Sequence, residues 1–137
     1  MEDNEYEFPN CIKQLYHNKS FLWLSRIYNN RLALASFTAN LQRLKGKGPP
    51  TVRICGQIYH NVDSLHPDNE EHRQHGQLYI LDNKTATQNR IQDTNKNEKV
   101  SEEIMAMLDK LLRDSNPYVK SYKMMHEVEQ EEKKIRK

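Results

Sequence analysis

Ser101-Glu102-Glu103-Ile104-Met105-Ala106-Met107-Leu108-Asp109-Lys110-Leu111-Leu112 carries the clearest structural signal in the chain. A serine before an apolar-periodic run accepts a hydrogen bond from a first-turn N–H, and two glutamates beside the partial positive charge of a helix start reinforce it. Ile104, Met105, Leu108, Leu111 and Leu112 then fall on one face, so the segment reads as an amphipathic helix that needs something apolar to pack against. Asn116-Pro117 ends it, because proline pushes the preceding residue away from helical geometry. Pro117 itself suits a first helical position, and Val119, Tyr122 and Met125 recur at helical spacing, which predicts a second helix turned toward the first. From Glu127 to Lys137 the chain is charged almost throughout, with Glu129/Lys133 and Glu132/Arg136 spaced for i,i+4 pairs, and helix is expected there only in part.

Upstream, Gln77 to Asp82 contains the continuous apolar run Leu78-Tyr79-Ile80-Leu81, expected to be a buried strand. Asn83 to Lys99 is polar, with Thr85, Ala86 and Ile91 as hints of helix, and 92–99 reads as a loop. Val52 and Ile54 alternate about Arg53, and Ile58 follows Gly56, which predicts a short β-hairpin across the glycine; a bulged turn and a tight type I′ turn both fit. Gly46-Lys47-Gly48-Pro49-Pro50 reads as a linker. It lacks the G-x-x-x-x-G-K-[ST] pattern of a phosphate-binding loop. Before it, Ser20 caps an expected helix over about 20–37, with Phe21, Leu24, Ile27, Tyr28, Leu32 and Ala35 inward and Trp23 anchoring the core beside them in preference to stacking on a base. The fold class is therefore α+β: an N-terminal helix, a small hairpin plus strand, and a C-terminal helical pair. Residues 1–19 read as an acidic, flexible start, 20–123 as the main region and 124–137 as a charged tail.

Composition narrows the function. With 137 residues, 36% of them hydrophobic, the chain suits one domain with a thin core. No apolar run approaches the roughly 20 residues that span a bilayer, and the acidic start is unlike a transit peptide, so an intracellular location is expected. The two cysteines, Cys11 and Cys55, are expected to be free thiols. No acidic residue occurs from Cys11 to Val62, whereas Lys13, Lys19, Arg26, Arg31, Arg43, Lys45, Lys47 and Arg53 all do. Such a segment can bind phosphates by counterion release, or it can be balanced in space by Asp63, Asp68, Glu70 and Glu71.

Further segments fall in a recognisable order: Arg26, Tyr28, Asn29, Leu34, Ala35 and Ser36; Gly56-Gln57-Ile58-Tyr59-His60; Ser64, Leu65, Pro67 and Asp68; Gln77-Leu78-Tyr79-Ile80-Leu81-Asp82; Gln88, Asn89 and Arg90; Asn116-Pro117-Tyr118-Val119-Lys120. Together, over residues 20–123, they resemble the region upstream of the replication-initiator domain in Helitron transposon proteins, rolling-circle transposases fused to a helicase. The resemblance implies a non-catalytic fragment that supports the initiator domain and contacts DNA in the nucleus, with other domains of a longer parent as partners. The family's histidine-hydrophobic-histidine metal motif and phosphate-binding loop are absent; His72 and His75 stand in a polar stretch, and no cofactor or metal is expected. The chain departs from the family at Cys11, which lacks the usual cysteine-rich surroundings, at His75 in place of an aromatic residue, and at Glu70 in place of glycine.

The DNA-contact candidates are Arg26, Arg31, Arg43, Lys45, Lys47, Arg53 and Lys120, with Arg90 and Lys123 as further cations that could meet a phosphate. Tyr118 and Tyr122 are spaced like the nucleophiles of strand transferases, but are expected to pack on the preceding helix with their hydroxyls at the surface. His60 is expected to be structural. Asn18-Lys19-Ser20 and Asn83-Lys84-Thr85 match the glycosylation pattern by coincidence. The competing reading is a protein-interaction module using the 101–115 helix and the charged tail.

Overall fold

A computed structural model describes residues 9–43, 52–61, 64–67, 73–92 and 99–136, with the backbone alone at Phe37, Thr38, Leu41, Arg43 and Val52. The elements run α1 (Asn10–Leu15), α2 (Lys19–Leu32), β1 (Ser36–Arg43), β2 (Val52–Asn61), a 3-10 helix (His75–Ile80), α3 (Asn83–Gln92), α4 (Glu102–Ser115) and α5 (Pro117–Ile135). The α+β expectation holds, and so does the C-terminal helical pair. The linker residues 46–50, residues 93–98 of the expected 92–99 loop and the acidic residues Asp63, Asp68, Glu70 and Glu71 lie outside the described residues, while Gln92 is the last residue of α3.

The 101–116 reading is matched closely. Ser101 accepts from Ile104 N at 3.4 Å, and the helix ends at Ser115 before Asn116. Asn116 then caps α5 by accepting from the N–H groups of Tyr118 and Val119. Met105 and Leu108 of α4 join Leu15, Tyr28 and Leu32 in the core, with Ile104, Leu112, Phe21 and Leu24 packed against them. The α4 face is thus occupied by α1 and α2 of the same chain. A side-chain hydrogen bond adds to the packing: Tyr28 Oη accepts from Ser101 N at 2.8 Å, tying α2 to the start of α4. Helix α5 continues to Ile135, farther than its charge suggests, and both expected i,i+4 pairs form: Glu129–Lys133 at 3.0 Å and Glu132–Arg136 at 3.9 Å.

Several expectations are corrected. Helix α2 starts one residue earlier, capped by Asn18, which accepts from Phe21 N at 3.1 Å. It stops at Leu32, five residues short of the expected end, because Ser36 onward joins a strand. The hairpin is not folded at Gly56. Instead β1 pairs antiparallel with β2, from Ser36 opposite Asn61 to Arg43 opposite Val52. Between the pairs Thr38/Tyr59 and Asn40/Cys55, one residue of β1 faces three of β2, and Gly56 takes φ +79° within that bulge. A left-handed backbone there is open to glycine and strained for a residue with a Cβ.

The apolar run at 78–81 is buried as expected, but as a 3-10 helix rather than a strand. Its start is closed by Gln74 and Gln77: Gln77 Oε1 accepts from Gln74 N at 3.1 Å, in a reciprocal capping box. Gly76 donates to Leu34 O at 3.1 Å and lies against Tyr122, so close that a Cβ would stand 3.2 Å from both neighbours. Four successive apolar side chains fit a buried helical turn as well as a strand, and periodicity alone does not separate the two. Helix α1 lies within the stretch expected to be flexible, and its Leu15 is buried.

Candidate nucleic-acid interface

Helix α2 has an inward side built by Tyr28 and Leu32, and an outward side set by what cannot be buried. Positions 19, 23, 26 and 30 recur every three or four residues, so Lys19, Trp23, Arg26 and Asn30 share one face, and all four are exposed. Trp23 is 90% exposed. The expected core anchor is therefore a surface indole with a cation one turn to either side. Large aromatic side chains gain most of their energy from burial, so a tryptophan left in solvent between cations leaves a broad apolar plate free for a partner.

This face is held by a polar core rather than a purely apolar one. Asp109 is fully buried and accepts from Arg90 Nη1 at 2.5 Å, Arg113 Nε at 2.6 Å and Asn83 Nδ2 at 2.6 Å. Arg90 also donates through Nε to Arg31 O, at 3.0 Å, at the end of α2. Arg113 donates to the carbonyls of Tyr79 and Leu78 in the 3-10 helix. Both guanidinium groups lie over the Tyr79 ring, 4.7 and 5.5 Å from its centre, a cation–π geometry. Burial pushes the Tyr79 hydroxyl up to about 12, against the pull of the neighbouring guanidiniums. It stays protonated and donates to Leu32 O at 2.6 Å. Two carbonyls at the C-terminal end of α2 are thus satisfied from other elements.

Arg90 is consequently no phosphate contact: it is 1% exposed, with Nη1 and Nε bonded to Asp109 and Arg31 O and Nη2 enclosed without a hydrogen-bond partner. Of the other candidates, Arg26, Arg53 and Lys120 are exposed, on α2, β2 and the first turn of α5. Arg31 is half-buried and engaged with other groups. Arg43 ends β1, while Lys45 and Lys47 lie outside the described residues. The contribution missed from sequence is Trp23 beside Arg26; the Lys19-x-x-x-Trp23-x-x-Arg26 spacing on a helix without acids was the available signal.

The paired-tyrosine arrangement dissolves. Tyr118 is 77% exposed, whereas Tyr122 is 5% exposed and donates its hydroxyl to Ser64 O at 2.9 Å. It packs on the 3-10 helix at Gly76, and its hydroxyl is bonded inside the fold rather than at the surface as expected. Asn83, in a glycosylation pattern, uses its amide on Asp109 and Ala106 O. His60 is exposed on β2 and engaged. Cys11 and Cys55 are free. Among the described residues no group of three His, Cys, Asp or Glu side chains could hold a metal ion, and no helix is long and apolar enough to cross a membrane. Comparison with protein families, with curated proteins and with solved structures finds no match for this chain.

Proposed function

We propose that this chain is a non-catalytic segment of a Helitron-type protein that holds single-stranded DNA on the outward face of α2. The observation that carries the reading is Trp23, 90% exposed between Lys19 and Arg26 on a helix without acids. A flat aromatic flanked by cations suits an unpaired base and its neighbouring phosphates, because stacking tolerates any base while the cations follow the backbone. Arg53 on β2 adds charge from the same acid-free segment. No base-reading motif accompanies it, so binding has little sequence preference.

Trp23 is the one tryptophan in the chain, which makes its fluorescence a direct reporter. Adding an oligonucleotide of mixed sequence is expected to quench it, with anisotropy of a labelled strand giving the affinity. Affinity falls steeply between about 50 and 200 mM salt. Trp23→Ala weakens binding by about 1–3 kcal/mol, and Lys19→Glu with Arg26→Glu removes it. Reversal of Arg43, Lys45 and Lys47 measures the contribution of the cations further along the acid-free segment. No detectable binding at the lower salt, or binding indifferent to Trp23, rejects the reading.

A further inference from the structure

Helix α5 carries a second exposed surface, chemically unlike the first. At roughly 100° per residue, Tyr118, Met124, Met125, Val128 and Ile135 fall within about a third of its circumference. Each is at least 48% exposed. Its buried residues, Val119 and Tyr122, point roughly 130° away from the middle of that stripe. Residues 131–136 are all exposed, so the end of the helix stands clear of the described body with its apolar side bare.

The polar residues on and beside the stripe state what covers it. Ser121 and Glu132 interrupt the apolar stripe, and Lys120 and Glu131 lie on one flank, both exposed and neither ion-paired with another described residue. We infer that α5 pairs antiparallel with α5 of a second copy of this chain. In that register Tyr118 meets the second copy's Ile135, and Met125 meets its Val128. Ser121 faces Glu132 and can donate to its carboxylate. Lys120 comes beside the second copy's Glu131, and two-fold symmetry repeats every contact. A parallel pair would instead set Glu132 on Glu132 near the centre of the seam and carry the Lys120 and Glu131 flanks of the two copies to opposite sides of it, where neither meets the other. Like charges at such positions oppose pairing and fix orientation. The stripe spans about 26 Å, seventeen steps of the helical rise, enough for several layers of contact.

The test is sedimentation of the full chain over about 1 to 200 µM, where self-association follows mass action. The wild type is expected to shift from monomer to dimer, and Val128→Glu to remain monomeric with an unchanged circular dichroism spectrum. Lys120→Glu and Glu131→Lys each weaken the dimer roughly tenfold, since each loses two symmetry-related pairs and creates repulsion. Their combination exchanges the charges and restores wild-type association. A wild type that stays monomeric throughout, or a dimer indifferent to Val128→Glu, overturns the inference. Single reversals without effect overturn the antiparallel arrangement.

Discussion

Asp109 is a single carboxylate facing two guanidiniums and an amide in an interior without water-facing atoms of its own. Removing it leaves Arg90 charged and fully enclosed, and breaking a buried pair from one side costs about 3–5 kcal/mol. That approaches the whole stability of a small domain. Asp109→Ala is therefore expected to unfold at far lower urea than the wild type, or to be unfolded without urea. Burial of the cluster was only partly legible in the sequence. Asp109 sits four residues after Met105 and three before Leu112, inside the apolar stripe, and an acid in that place announces a buried partner. Which cation answers it was not legible, because Arg90 lies in a polar stretch whose composition resembles a solvated helix. Trp23 shows the opposite failure. Hydrophobicity predicted burial, but the helix phase places it opposite Tyr28 and Leu32, and phase decides.

At the scale of elements, the helices with side-chain caps and apolar stripes were readable, and the segments governed by distant contacts were not. Nothing local distinguishes a buried 3-10 turn from a strand at 75–80; the choice is made by Leu34 O, Ser64 O and Tyr122, all remote in sequence. The stripe of α4 is unequal in depth. Met105 is fully enclosed while Leu111 is half-buried, so Met105→Ala is expected to cost about 3 kcal/mol and Leu111→Ala clearly less, compared by thermal melting. Besides the Tyr122–Ser64 hydrogen bond, the joint between α5 and residues 64–67 carries charge. His66 Nε2 lies 2.7 Å from both Glu129 oxygens, and Lys133 Nζ 3.0 Å from one. The hydrogen bond from His66, then that from Lys133, holds the Glu129 carboxyl below its ordinary 4.5. A depressed carboxyl stabilises the fold fully above its unfolded value and loses that contribution as pH falls through the folded one. Glu129→Gln is accordingly expected to flatten the loss of stability on acidification below about pH 4.5, followed by urea midpoints at successive pH values.

Across the whole molecule, two exposed surfaces are carried by opposite ends of the helical series: the cationic indole face of α2 and the apolar stripe of α5. Neither was placed correctly by the sequence, because amphipathic patterns report which residues could be buried and a thin core leaves more of them than it can cover. The hairpin is bulged at Gly56, and most of β2 is exposed.

The Asp109 cluster also sets how this protein comes apart. One carboxylate and its two arginines join the end of α2, the 3-10 helix, α3 and α4, so none of these can open without breaking charged bonds in the others. Their slowest amide protons are expected to exchange with deuterium at one shared free energy, as a single cooperative unit. The hairpin and the outer turns of α5 hold no part of that cluster, and their amides are expected to exchange earlier. Exchange followed residue by residue would reveal two classes of protection, with the boundary in α5 near Tyr122; a uniform gradient from surface to centre would show that the cluster does not govern unfolding.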